Sequence, residues 1–500
     1  MSRHRLAVAA GLVALYGIAV GSLIVRAPLW NDELYTWYFA QLPTMRDVWD
    51  ALETGVEQLP PAYYALTRAS LALFGDNEVG LRIPSLLGFL LACACVYAVV
   101  ARRTSAWYGL VAALVLLASG AAPYAWEARP YALVLGCAAA AVLCHQLRAD
   151  SVRPHLAVVG LALALAGATA VHYYGALVVV PIALAEAVRA SRRRELDRAV
   201  VAALFAPLLP LAVSIPLLQE ARQYRGAFWT EFDLGTAPEF FVFLLRAEVF
   251  SSSRIPTWLG LAFAGVVIGA SLVVVLRRQR VAQVEIGAAV GFLLLPLVGV
   301  LVGELVTGAY VERYVLSAAI GPALLVPLAL HRIADGRPRI ARVTAALMAL
   351  WFAILFQYWH RDIEVDVDRR DRLVAFVQEH AAGRLSVAVA HPHDYLELAH
   401  DAPQSIAARL VRLSDPERSL KYTDSRSTED GLVVLAGFAP LRIVPYEEQR
   451  APFLLLRTVR GEADDWIEPA LAADGARMQV VAVDESDGFT LVHVEPARAG

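Results

Sequence analysis

The sequence predicts a polytopic α-helical membrane protein of about eleven transmembrane helices, followed by a small α/β domain. Three observations carry that prediction. The 500 residues are 58% hydrophobic and only 18% charged, whereas a soluble domain holds about 25% charged and about 45–50% apolar residues. The apolar excess is gathered into runs of about 20 residues, the length that crosses a bilayer. After Tyr358 the runs shorten and the charge density rises.

Spans are expected near 6–25, 81–101, 107–122, 131–147, 155–171, 174–190, 199–218, 256–276, 284–306, 314–331 and 340–358. The start, Met1-Ser-Arg-His-Arg, resembles a signal-peptide n-region. The run after it is long and no small-x-small site precedes Arg26, so an uncleaved first helix is expected. Basic residues fix the orientation. Under this set of spans Arg3 and Arg5, Arg102 and Arg103, Arg148 and Arg153, Arg192 to Arg194 with Arg198, Arg277, Arg278 and Arg280, and Arg332, Arg337, Arg339 and Arg342 all share one side. By the positive-inside rule that side is the cytoplasm. The N-terminus is then cytoplasmic and the tail extracytoplasmic, and the high Ala, Val and Arg content fits a bacterial inner membrane.

The opposite side receives the first outer loop, 26–80, rich in acids. Within it, Pro60-Pro61 opens an apolar stretch to Phe74 that is short for a span and carries Arg68. It is expected to lie in the interface. A second outer loop, 219–255, holds Arg222, Arg225, Trp229 and an amphipathic piece near Pro238 to Phe250. Two domains are expected, 1–358 in the membrane and 359–500 outside it. In the tail, Leu385 to Ala390, Gly431 to Ala436, Phe453 to Thr458, Met478 to Val483 and Thr490 to Val494 read as strands. Asp368 to His380 and Asp464 to Ala473 read as helices, and the alternation argues a small α/β domain. Cys93, Cys95, Cys137 and Cys144 all fall in apolar runs. They read as packing residues rather than a disulfide framework.

The chemistry gathers on the outer side. Trp30-Asn31-Asp32-Glu33 places two carboxylates at the mouth of the first span, where charge is costly unless it faces water or works. A carboxylate there can take a proton from an attacking hydroxyl or amine. Arg82, Arg129 and Arg313 lie at the same level, and guanidinium is the preferred fork for phosphate oxygens. Base, cations and the aromatics Tyr63, Tyr64, Tyr131 and Tyr310 together suggest transfer of a group from a lipid-linked phosphate. A polyprenyl phosphate leaves as an anion, since a phosphate monoester has a second pKa of about 6. It therefore needs a cation and no general acid, and one carboxylate suffices. Direct displacement inverts the sugar carbon.

The ordered set Trp30-Asn-Asp32-Glu33, Glu57-Gln-Leu-Pro60-Pro61-Ala-Tyr63-Tyr64, Arg82-Ile-Pro84-Ser85, Glu127-Ala-Arg129-Pro130-Tyr131, His172-Tyr173-Tyr174 and Glu312-Arg313-Tyr314 resembles the GT-C superfamily of glycosyltransferases. The similar branch includes protein O-mannosyltransferases and the lipid A aminoarabinose transferase. The resemblance covers about residues 1–330. It implies a polyprenyl-phosphate-sugar donor and an extracytoplasmic acceptor, whether lipid, glycan or protein. It also implies that Asp32 is the base, Glu33 its acidic partner, and Glu57 the acid ahead of the double proline. Some members carry His or Lys directly before the prolines; Leu59 stands there in this chain. A divalent metal is thus left open, with His172 and Glu57 as its candidate ligands.

Each residue also has a plainer reading. Asp32 can anchor a helix end, Glu57 can cap the interfacial helix, and Arg129 and Arg313 can be interface anchors. Arg82 can pair a nearby acid, and the tyrosines can form an aromatic belt. His391-Pro-His393-Asp394 lacks a second ligand pair for zinc and reads as loop chemistry. The expected partners are the bilayer, the lipid-linked donor and the acceptor, with no nucleic acid. A transporter or flippase is the alternative function. It would place buried charges at mid-bilayer and broken helices in two related halves, and neither is seen.

Overall fold

The computed structural model describes residues 3–55, 57–224, 232–246, 257–277, 283–381, 383–424, 426–459 and 465–497. Arg225, Trp229, Arg278, Arg280 and Phe250 lie outside them. The chain divides into two compact units. One holds Met1–Val25, Leu59–Pro216 and Thr230–Arg361; the other holds Arg26–Gln58, a stretch beginning at Leu217, and Asp362–Gly500.

The first unit is helical. Among the described residues, eight helices are long and apolar enough to cross a bilayer, or nine if the pair Arg198–Val213 and Ile215–Ala221, bent by 64°, is one span. The shorter apolar helices Ala106–Leu117 and Gly260–Val274 coincide with the two remaining expected segments. Helix Pro61–Phe74 has proline at its first position and buries Tyr63, Tyr64, Thr67, Ser70 and Leu71 along one face. Its other face exposes Leu66, Leu73 and Phe74, which suits a helix lying in an interface.

Backbone contact joins helices Glu78–Arg103 and Tyr131–Ala149. A Cβ on Gly136 would stand 2.3 Å from the Gly88 carbonyl oxygen, and one on Gly88 would stand 2.8 Å from the Ala132 oxygen. Small residues allow this approach where no hydrophobic force drives helices together. The basic helix ends meet in one polar network. Asp150 accepts from Arg102 and Arg103, each through a contact of 2.9 Å. Arg103 and Gln146 also reach Glu285, at 2.6 and 2.7 Å. Arg148 pairs Asp197 at 2.6 Å, and Glu186 is held by Arg189 and by His145. Arg102, Arg103 and Arg148 therefore do more than mark a side; carboxylates tie them, like Arg189, into the bundle.

The second unit is α/β. Its six strands are β1 (Val387–Val389), β2 (Leu410–Ser414), β3 (Ile443–Pro445), β4 (Phe453–Arg457), β5 (Arg477–Asp484) and β6 (Phe489–Glu495). They lie in the order β3-β2-β1-β4-β6-β5. The first four are parallel, with Val387 opposite Leu410 and Leu454. The last two run antiparallel, with Leu455 opposite Val492. Ala388, Val411, Leu455, Trp466, Ile467 and Val494 form the core. Three expectations need correction. Gly431 to Ala436 is not a strand but the end of helix Ser427–Ala436. Strands β2 and β3 had not been expected. Helix 368–380 is the end of a single 43-residue helix, Pro338–His380, because no Gly or Pro interrupts the chain after the last apolar run.

Candidate active site

In the first unit three sequence motifs converge on one turn. Pro84 removes a backbone donor inside its helix, which frees the Gly80 carbonyl; Ser70 Oγ donates to that oxygen at 2.6 Å. One residue further on, Ser85 Oγ donates to the Arg129 carbonyl at 2.9 Å. Tyr63 donates its hydroxyl to the Ala128 carbonyl at 2.6 Å. Buried hydroxyls thus satisfy the carbonyls of the turn that carries Arg129 into helix Tyr131–Ala149. Tyr63 and Tyr64 are 1% and 0% exposed and pack edge to edge, 5.4 Å apart. Arg82, 1% exposed, donates to the Ile24 carbonyl at 3.2 Å. Tyr63 and Ser85 therefore hold the frame of the turn, and Arg82 ties its own helix to the end of the first helix, contacts that the motifs alone do not reveal.

Around this turn stands a cationic aromatic cluster. Arg129 is 8% exposed. Arg313 donates through Nε to the Tyr131 hydroxyl at 3.1 Å, and its guanidinium lies 5.8 Å from that ring. The His172 ring lies 5.5 Å from Tyr131 and 4.9 Å from Tyr314. Tyr174 donates to the Ala309 carbonyl and so ties the 172–174 turn to the segment before Arg313. Tyr310 is buried against Phe232, with ring centroids 5.9 Å apart. Burial, then the charges of Arg129 and Arg313, push His172 down to about 3. The imidazole stays neutral beside two guanidiniums, a setting that suits an anion better than a cation.

The acidic residues fall in the second unit. Trp30 caps helix Asn31–Ala40, and Glu33, 1% exposed, accepts from the Trp30 N–H at 3.4 Å. The Glu33 carboxylate thus covers the backbone N–H ahead of the helix and fixes its start. Asp32, in the same first turn, is half-exposed, and the helix N-terminus favours negative charge there. Gly55, at φ +77°, brings its backbone against Glu220, where a Cβ would stand 2.9 Å from the carbonyl oxygen. Glu57 follows it and is half-buried. Burial first, then Glu57, Glu429 and Asp32, hold the Tyr35 phenol far above its ordinary pKa, against the opposing Arg412. Asp394, flagged in the sequence with His391 and His393, is fully buried, held by Arg369 at 3.2 Å and by Thr458. Its role there is structural.

A family model described as dolichyl-phosphate-mannose-protein mannosyltransferase matches residues 58–219, the stretch that contains the converging motifs. Among solved structures, ArnT from Cupriavidus metallidurans in the apo state aligns over 97% of this chain and 98% of its own, at 13% identity and a TM-score of 0.58. ArnT from the same organism bound to undecaprenyl phosphate aligns over 98% of each chain, at 15% identity and a TM-score of 0.52. No curated protein matches by sequence. With a helical unit that carries a cationic aromatic cluster at one end and a small α/β unit, the chain is similar in fold to glycosyltransferases of the GT-C superfamily. Over residues 58–219 it is similar to the protein mannosyltransferases, and over its whole length it is similar in fold to ArnT.

Proposed function

We propose that the chain transfers one sugar from a polyprenyl-phosphate carrier to an acceptor outside a bacterial inner membrane, with inversion. The supporting observation is the cluster of Arg129, Arg313, Tyr131 and neutral His172, held by buried hydroxyls at the end of the bundle away from the basic network. Two guanidiniums in a partly desolvated setting suit a phosphate leaving group. The bond from the sugar anomeric carbon to the phosphate oxygen breaks, and its electron pair leaves with the lipid phosphate. A bond from the same carbon to the acceptor oxygen or nitrogen forms, and Asp32 takes the acceptor proton. Arg129 and Arg313 bind the phosphate. Arg82, Tyr63 and Glu33 keep these groups in place. Glu57, Tyr131 and Tyr310 are assigned to the sugar and acceptor. The apolar helices take the lipid tail. A divalent metal at His172 and Glu57 is not needed in this scheme.

The test is Asp32→Asn in membranes supplied with labelled undecaprenyl-phosphate hexoses and pentoses, and in a deletion strain whose glycolipids and glycoproteins are read by mass spectrometry. Product should fall by about 10²–10⁴-fold, the usual worth of a general base, with undecaprenyl phosphate still bound. Undiminished product removes Asp32 from the mechanism. Arg129→Ala and Arg313→Ala should instead weaken binding of undecaprenyl phosphate.

A further inference from the structure

The helix that carries Asp32 is not a free loop. It packs on helix Pro392–Asp401 of the α/β domain, where the Trp37 ring meets the His400 ring edge-on at 5.1 Å. Tyr38 and Tyr395 are both buried. Tyr395 is itself anchored: its hydroxyl donates to the Arg442 carbonyl at 3.2 Å and accepts from the Arg442 N–H at 2.8 Å. Tyr35, three residues after Asp32 and so on the same helix face, lies within electrostatic reach of the buried ion pair Arg412–Glu429. Arg412 also donates to the Val389 carbonyl at 3.1 Å and to Ala390, at the carboxyl end of β1. Trp466 Nε1 donates to Glu429 at 3.0 Å. The pair is less than 3% exposed at both residues.

We propose that the C-terminal α/β domain is a positioning device for the general base: the packing of helix Asn31–Ala40 on helix Pro392–Asp401, with Trp37 edge-on to His400 and Tyr35 near the Arg412–Glu429 pair, fixes the rotation of the acidic helix and with it the direction of Asp32. This rests on the reading of Asp32 as the base. Trp37 and Tyr35 are positioning residues and touch no reacting atom. Misplacement of a reacting group by about 1 Å can cost on the order of 10²-fold.

The experiment uses the full-length chain. Trp37→Ala, Trp37→Phe and Tyr35→Phe are placed in a deletion strain at equal membrane levels, with Val481→Ser on the exposed strand β5 as control. Three quantities are read: product by mass spectrometry, undecaprenyl phosphate binding by the purified protein, and amide hydrogen exchange over residues 31–40. Trp37→Ala should lower product by roughly 10- to 100-fold, leave binding unchanged and speed exchange in 31–40. Trp37→Phe keeps a ring against His400 and should restore both product and protection. Tyr35→Phe should lower product less, and the control should match wild type. Wild-type product from Trp37→Ala overturns the proposal. So does lost product with unchanged exchange, or lost product together with lost binding. If Asp32→Asn keeps its product, the assignment of the base fails by itself, and exchange over 31–40 in Trp37→Ala still reports whether the domain holds the helix.

Discussion

At the residue scale the informative groups are hydroxyls rather than charges. Tyr63 and Ser85 each cover one carbonyl of the turn before helix Tyr131–Ala149. Tyr63→Phe and Ser85→Ala should each cost about 1–3 kcal/mol, the price of a buried acceptor left unmet. Thermal unfolding in detergent measures this, and undecaprenyl phosphate binding should weaken with it because Arg129 sits on that turn. His172 gives a pH prediction. Its folded pKa of about 3 lies below the ordinary value of about 6.5, so the unfolded chain binds the extra proton first. Its contribution to stability is full above about pH 6.5 and is lost as pH falls toward 3. His172→Gln should flatten that part of the acid unfolding curve, and equal acid sensitivity in the variant would contradict the assignment. The sequence displayed these motifs in order but not their partners. Nothing local in Pro60-Pro61-Ala-Tyr63 says that the hydroxyl ends on Ala128, 65 residues away.

At the element scale, long apolar runs were legible because hydropathy over about 20 residues is a strong signal. Each of the eleven expected segments has a helical counterpart. Short elements were not. Gly431-Leu-Val-Val-Leu-Ala reads as a strand by composition, yet Glu429 and Asp430 in the turn before it are first-turn helix signals. Strand β2 was hidden by Arg412, a charge in its middle whose partner Glu429 comes 17 residues later. The contact between Gly88 and Gly136 yields a prediction for the bundle. Gly136→Ala sets a methyl 2.3 Å from a backbone oxygen, and overpacking of this kind costs about 1–3 kcal/mol. Folded yield from membranes should drop, whereas Gly11→Ala, where a Cβ meets nothing within 4 Å, should leave it unchanged. Equal yields would show that the two helices can part without loss.

At the scale of the whole molecule, the arginine clusters predict sidedness. An alkaline phosphatase fused after Glu495 should be active in intact cells, and one fused after Arg103 inactive. The reverse pattern would invert the orientation. The grouping of residues 26–58 with the tail could not be read from the sequence, since a linear scan ties the first outer loop to the spans on either side of it. That grouping has a consequence for biosynthesis. The acidic helix emerges early, but the domain it packs on begins only at Asp362. At translation rates of about 5–20 residues per second the intervening stretch takes on the order of 15–60 s. Throughout that interval helix Asn31–Ala40 has no partner helix Pro392–Asp401 to pack on, so a chain truncated before Asp362 should leave the acidic helix without its support.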